Sequence, residues 1–93
     1  MKSINRSWGT EYWWAREPEY TAKVLVLQKE QVIDVHSHEK DKETLCLWAG
    51  SVELALGDKR YRLVEGNVVT ILPGQKHGIK AFHNHSVILE VST

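Results

Sequence analysis

From Thr21 onward the chain reads as short runs of apolar and polar side chains, each ended by turn-forming residues, with no stretch that repeats at helical spacing. Thr21–Gln28 (TAKVLVLQ) is β-branched and apolar, and Gln31–His38 (QVIDVHSH) alternates in character. Thr44–Trp48, Val52–Leu56, Arg60–Val64, Val68–Leu72, Ile79–Phe82 and Val87–Val91 continue the series. The pattern predicts about eight short strands. Between them stand Ala49-Gly50-Ser51, Gly57-Asp58-Lys59, Glu65-Gly66-Asn67, Pro73-Gly74 and His83-Asn84-His85-Ser86. Gly57-Asp58 fits a hairpin whose first turn residue takes positive φ. Strands this short and regular, with no helix to cross between them, predict antiparallel connections in an all-β sandwich or barrel, and a closed double-sheet jelly roll fits best.

Residues 1–19 break this pattern with a polar stretch carrying Trp8, Trp13 and Trp14. Three large aromatics so close together need a place to be buried. This head is expected to be an arm or extra strand that packs on the barrel of residues 20–93 or on a partner subunit. The alternative is an aromatic wall for a sugar or other ring.

At 93 residues the chain is long enough for one compact domain and too short for two, and a core of that size leaves little margin of stability. The Trp-bearing head and the outer strands add apolar surface and unpaired edges, so a homodimer is expected. Twelve basic side chains balance twelve acidic ones without a basic block or stripe, which argues against nucleic acid as a partner. Residues 1–14 lack the basic start and apolar run of a secretory signal, and no later stretch approaches a membrane span. A soluble, cytoplasmic protein with no membrane partner is the expectation. The single cysteine, Cys46, can form no internal disulfide and excludes a cysteine-built zinc site, leaving histidine as the metal-binding side chain.

Side chains at i and i+2 of a strand share a face, so His36 and His38 are expected to project together and grip one ion. Glu43 follows after the four-residue turn EKDK, which can return the chain alongside the end of the same strand. His77 stands just past the Pro73-Gly74 turn, at the start of a strand that can face the first pair across the barrel. Three neutral imidazoles and one carboxylate suit one divalent transition metal (Mn, Fe, Zn, Ni or Co) rather than calcium or magnesium. Four protein ligands on an octahedral ion leave two positions for water or substrate. Cys46 has the opposite parity to Glu43 and is expected to leave the cavity. His83 and His85 form a second HxH in a turn with no carboxylate following, and read as solvated residues at the cavity rim. Lys40, Asp41 and Lys42 read as a solvated turn over the cavity mouth, where a lysine would reach an anionic substrate.

The stretch His36–Gly50 (HSHEKDKETLCLWAG) resembles the first motif of the cupins: two histidines separated by one residue, a glutamate after four intervening residues and a glycine after six more. Gly66–His77 (GNVVTILPGQKH) resembles the second, a glycine opening a strand that ends in a Pro- and Gly-containing turn before the last histidine. The likeness covers about four-fifths of the chain. It implies a double-stranded β-helix, the cupin jelly-roll barrel, with His36, His38, Glu43 and His77 as metal ligands. Glu30, Leu72 and Ala81 depart from the pattern, at positions where glycine, proline and asparagine are usual, which bears on turn geometry and one supporting hydrogen bond rather than on the ligands.

Trp8-Gly9-Thr10-Glu11, the Tyr20–Lys23 stretch, Glu43-Thr44 and the ending Glu90-Val91-Ser92-Thr93 resemble the small cupins related to mannose-6-phosphate isomerase and D-lyxose isomerase. That resemblance implies a sugar or sugar-phosphate ligand and aldose–ketose isomerisation, in which a protein base moves a proton between neighbouring carbons. Lys23 shares parity with Leu25 and Leu27 and is a candidate base, as is Glu11; Glu90, on the last strand, ranks behind them. Each has a plainer role available, Lys23 and Glu90 on a solvated sheet exterior and Glu11 as an anchor of the head. The same ligands also serve non-catalytic small-molecule binding and iron-dependent dioxygenase chemistry, so these remain alternatives.

Overall fold

The computed structural model describes residues 1–93, which form ten strands and no helix: β1 (Lys2–Arg6), β2 (Gly9–Arg16), β3 (Thr21–Leu27), β4 (Val32–His36), β5 (Glu43–Ala49), β6 (Val52–Leu56), β7 (Lys59–Leu63), β8 (Val68–Ile71), β9 (His77–Ala81) and β10 (Ser86–Ser92). They build two antiparallel sheets, a six-stranded one in the order β1-β2-β3-β10-β5-β8 and a four-stranded one in the order β4-β9-β6-β7. The eight strands read from the alternation are all present. The two additional ones, β1 and β2, lie in the Trp-bearing head, whose polar character hid them.

Both sheets obey the period of two. Leu25, Leu27, Leu45, Leu47, Ile71 and Ile88 from the larger sheet meet Val52, Leu54, Leu63, Ile79 and Ala81 from the smaller in one buried core. Truncating one such leucine to alanine costs about 2–5 kcal/mol. The head is part of this sandwich: β2 pairs with β3 from Gly9↔Leu27 to Arg16↔Thr21, and Trp8 packs against the core. At the two-residue β6–β7 turn Gly57 takes φ 63, as its hairpin requires.

The register decides which end of the sandwich carries chemistry. Glu43 lies opposite Ser92, and Ser92 opposite Thr21, so these three line one end of the larger sheet. Leu27 and Ser86 lie opposite each other at the other end, where the core closes. In β4 the pairing slips between Ile33 and His36, which face Ile79 and His77. This irregularity inserts a residue and resets the parity, so Ile33 and His36 both point inward although strict alternation would separate them. Gly78 makes it possible: a Cβ there would come within 3.0 Å of both the Ile33 carbonyl oxygen and Val35 Cγ2.

Candidate metal centre and cavity

The four predicted ligands reach one place by different routes. His36 ends β4, Glu43 begins β5 and His77 begins β9, whereas His38 lies past the end of β4, not on a strand as its spacing suggested. What holds it is the Pro73-Gly74 turn: Gly74, at φ 83, donates its N–H to the His38 carbonyl at 2.7 Å. The ring centroids of His36 and His38 are 5.0 Å apart, those of His36 and His77 4.3 Å, and those of His38 and His77 5.8 Å. One ring nitrogen from each of the three lies within 4.8 Å of the others, a spacing that can hold a metal ion. Glu43 joins from the side, with Oε1 2.9 Å from His77 Nε2 and Oε2 3.8 Å from His38 Nε2.

Backbone carbonyls fix the imidazoles from behind. His36 Nδ1 donates to the Asp34 carbonyl at 2.8 Å, and His77 Nδ1 to the Gln75 carbonyl at 2.9 Å. Each bond commits Nδ1 as the donor and turns an Nε2 lone pair toward the centre, the arrangement that metal-binding histidines need. The Gln75 carbonyl is itself held by a turn in which Gln75 accepts through Oε1 from the Leu72 N–H at 2.8 Å. A proline at position 72 would have no N–H to give, so the departure at Leu72 adds support to His77.

The donor set fits a metal by a direct structural criterion. His77 is 2 % exposed, and its Nε2 is sealed from solvent with no hydrogen-bond partner. Glu43 Oε1, 2.9 Å away, can satisfy it only when Nε2 carries a proton, and otherwise two lone pairs share one space. A buried polar nitrogen left so is costly unless something else fills that space. Burial by itself pushes the Glu43 carboxyl up, but the neighbouring His77, His38 and His36 imidazoles outweigh it and hold the group below the usual carboxylate range. His77 is raised, chiefly by the Glu43 carboxylate and against the effect of burial.

This centre opens into a cavity of about 330 Å3 between the sheets, open to solvent at one end. Its opposite wall is built by β2, β3 and β10, where Glu11, Trp13, Lys23, Leu25 and Glu90 alternate inward. Lys23 Nζ stands 3.5 Å from Glu90 Oε2 and 3.9 Å from Glu11 Oε1, and 4.4 Å from the centroid of the Trp13 ring. Glu11 also accepts from Trp13 Nε1 at 2.6 Å and from Arg6 Nε at 3.1 Å. Burial alone would raise Glu11, yet Arg6, Trp13 and Lys23 together keep it low. Glu90 moves the other way: burial raises it, and Lys23 only partly offsets that. The plainer roles offered for Lys23 and Glu90 on a sheet exterior therefore do not apply, while Glu11 both anchors the head and faces the cavity.

Other sequence expectations resolve by topology. His83 and His85 are exposed in the β9–β10 turn, at the end of those strands remote from His77, so they do not stand at the cavity rim. Of the turn over the mouth, Asp41 lines the cavity and the exposed Lys40 and Lys42 do not. Cys46 lies on the outer face of β5, half-buried. Trp8 and Trp13 line the cavity and Trp14, at a bulge in β2, is 59 % exposed. Thr21, Ser92 and Thr93, which sequence reasoning did not single out, put hydroxyls at the cavity mouth, and the inward parity of β3 and β10 is the signal that could have found the first two.

The cupin domain family matches residues 23–91, which spans both histidine-bearing segments and the wall of β3 and β10. This chain is a cupin. Solved cupins agree in fold. KdgF from Halomonas sp. superposes with a TM-score of 0.86 at 20 % identity, over 89 % of this chain and 76 % of that one. An RmlC-like cupin from Shewanella frigidimarina gives 0.82 at 14 % identity, over 89 % and 73 %. An oxalate decarboxylase from Bacillus subtilis gives 0.87 at 17 % identity, over 98 % of this cupin and 26 % of the longer enzyme. At these identities the likeness establishes the fold and leaves the chemistry to the site itself. None of the curated proteins matches the sequence. No helix is long and apolar enough to cross a membrane.

Proposed function

We propose that this cupin binds one divalent transition-metal ion through His36, His38, Glu43 and His77 and interconverts an aldose and a ketose in the adjoining cavity. The observation that carries the reading is the meeting, in one cavity, of a three-imidazole cluster with a wall of groups able to hold protons. When bound, the ion supplies Lewis acidity toward a sugar's carbonyl and neighbouring hydroxyl oxygens. The chain supplies the rest. The Asp34 and Gln75 carbonyls fix the imidazole tautomers, and the hydroxyls of Thr21 and Ser92, themselves 2.8 Å apart, orient the ligand at the mouth.

The proton that moves between neighbouring carbons is handled by the wall of Lys23, Glu11 and Glu90. Glu11, committed to Arg6 and Trp13, stays a carboxylate and fixes Lys23. Glu90, whose one ion-pair partner is Lys23, moves ahead of Lys23 and Glu11 as the candidate base, because the Lys23 ammonium between the two carboxylates has no lone pair to accept a proton.

Metal analysis of protein purified without chelator, followed by proton NMR of aldoses in deuterated water, tests the reading. Manganese, zinc, cobalt or nickel with aldose–ketose interconversion supports it. Bound iron with oxygen uptake would make the protein a dioxygenase, and tight ligand binding without turnover would make it a binding module.

We also propose a cytoplasmic homodimer that joins through the outer face of the six-stranded sheet. The outward positions of its strands β2, β3, β5, β8 and β10, among them Tyr12, Val24, Val26, Cys46, Leu89 and Val91, include no charged side chain. An uncharged face mates with its own copy without like-charge repulsion. Light scattering that gave a monomer at micromolar concentration would overturn this.

A further inference from the structure

We infer that the wall of Glu11, Lys23 and Glu90 selects an uncharged, hydroxyl-rich ligand and rejects phosphate esters, so that the substrate is a free sugar. This deepens the isomerase reading and rests on it. Among the residues lining the cavity the only ammonium or guanidinium belongs to Lys23, and it stands between two carboxylates, Glu90 Oε2 at 3.5 Å and Glu11 Oε1 at 3.9 Å. Two further carboxylates line the cavity, Glu43 beside the imidazoles and the exposed Asp41. The one guanidinium in contact with this cluster, Arg6, is bound to Glu11 and does not line the cavity.

A phosphate group brought to this wall meets no unspent cation and faces carboxylates instead. Like-charge juxtaposition in a partly desolvated site is a strong means of rejection. Sugar hydroxyls meet the opposite situation. They donate to the Glu11 and Glu90 oxygens and accept from Lys23, while Thr21, Ser92 and Thr93 do either. Trp8 and Trp13 offer apolar surface to the C–H face of a ring.

Tryptophan fluorescence or calorimetric titration of the manganese-supplied protein with D-mannose, D-lyxose and D-ribose, against mannose 6-phosphate and ribose 5-phosphate, decides the matter. The free sugars are expected to bind at least about tenfold more tightly than their esters. In the Glu11→Gln, Glu90→Gln double variant, with folding checked by near-ultraviolet circular dichroism, the freed Lys23 should reverse that preference. Tighter binding of the esters by the unaltered protein would overturn the inference and leave isomerisation open. Selective binding of free sugars without interconversion would uphold the subsite and refute the isomerase reading. Failure of both ligand sets to bind would overturn both, and the comparison on the unaltered protein holds even if the double variant does not fold.

Discussion

The two walls of the cavity are built on opposite principles. On one, His36, His38 and His77 crowd together with their backs tied to backbone carbonyls or a turn, and one buried nitrogen has no partner. On the other, Glu11, Lys23 and Glu90 satisfy one another, with Arg6 and Trp13 completing the set. The first wall spends stability to keep lone pairs free for something brought from outside, whereas the second is internally compensated and stabilises the fold. Metal binding thus rests on the first wall with Glu43, while the second holds the fold together and presents its side chains to the ligand, and substitutions should separate metal affinity from stability.

The largest expected effect is on the imidazole wall. His77→Ala should lower metal affinity by more than about a hundredfold, beyond the range usual for residues that only support a ligand, with little change in thermal stability of the metal-free protein at a pH above that at which His77 loses its proton. Atomic emission analysis and competition titration measure the first, and melting in chelator the second. Lys23→Met should do the reverse. It leaves two carboxylates facing each other, and because Lys23 is 20 % exposed the cost falls to about 2 kcal/mol, below that of breaking a fully buried pair. Metal affinity should stay within a few-fold. If Lys23→Met instead abolished metal binding, the separation of the walls would be wrong.

Gly78→Val probes the link between backbone and centre. Its side chain would press on the β4 bulge that turns His36 inward, and metal affinity should fall about tenfold, as for loss of a supporting contact.

Acidity sharpens the contrast further. Glu43 is held below its ordinary value, so its contribution is present above the unfolded carboxylate range and is lost as pH falls through the lowered value. His77 is raised, so its contribution is full below the ordinary imidazole value and is lost as pH rises through the raised one. The metal-free protein should therefore be most stable between the ordinary carboxylate value and the ordinary imidazole value, and metal binding in the range where His77 is protonated should release a proton. Calorimetry in buffers of different ionisation enthalpy detects that release; its absence would show that His77 is not displaced by the ion.

The smallest effect concerns a position remote from both walls. Glu30 takes φ 69 without being glycine, while its N–H donates to the Ala81 carbonyl at 3.0 Å. The turn keeps its geometry despite the missing glycine, at a cost in strain. Glu30→Gly should raise stability by about 0.5–1 kcal/mol, measured by urea unfolding, since the exposed ion pair with Lys80 contributes little.

Much of this was legible in the chain. Strict alternation in Val52–Leu56 and Thr44–Trp48 located strands whose inward residues are the core. The spacing of His36, His38, Glu43 and His77 identified the residues that now stand together. Where reading failed, a local rule was overridden by a contact distant in sequence. The head could be read only as an arm or an extra strand, without bounds, because its inward residues are Glu11 and Trp13, polar or amphipathic side chains that suit a cavity wall and break the apolar signal of a strand.

What the sequence determined by itself is the set of inward and outward positions, because the period of two is a property of the strand backbone and needs no partner. Only the tertiary structure decided that Glu11, Lys23 and Glu90 compensate one another, that Gly78 opens space for the bulge turning His36, and that His83 and His85 lie at the wrong end. Those outcomes depend on which strands pair and in what register, and pairing is fixed by burial summed over the whole sandwich rather than by any residue's neighbours along the chain.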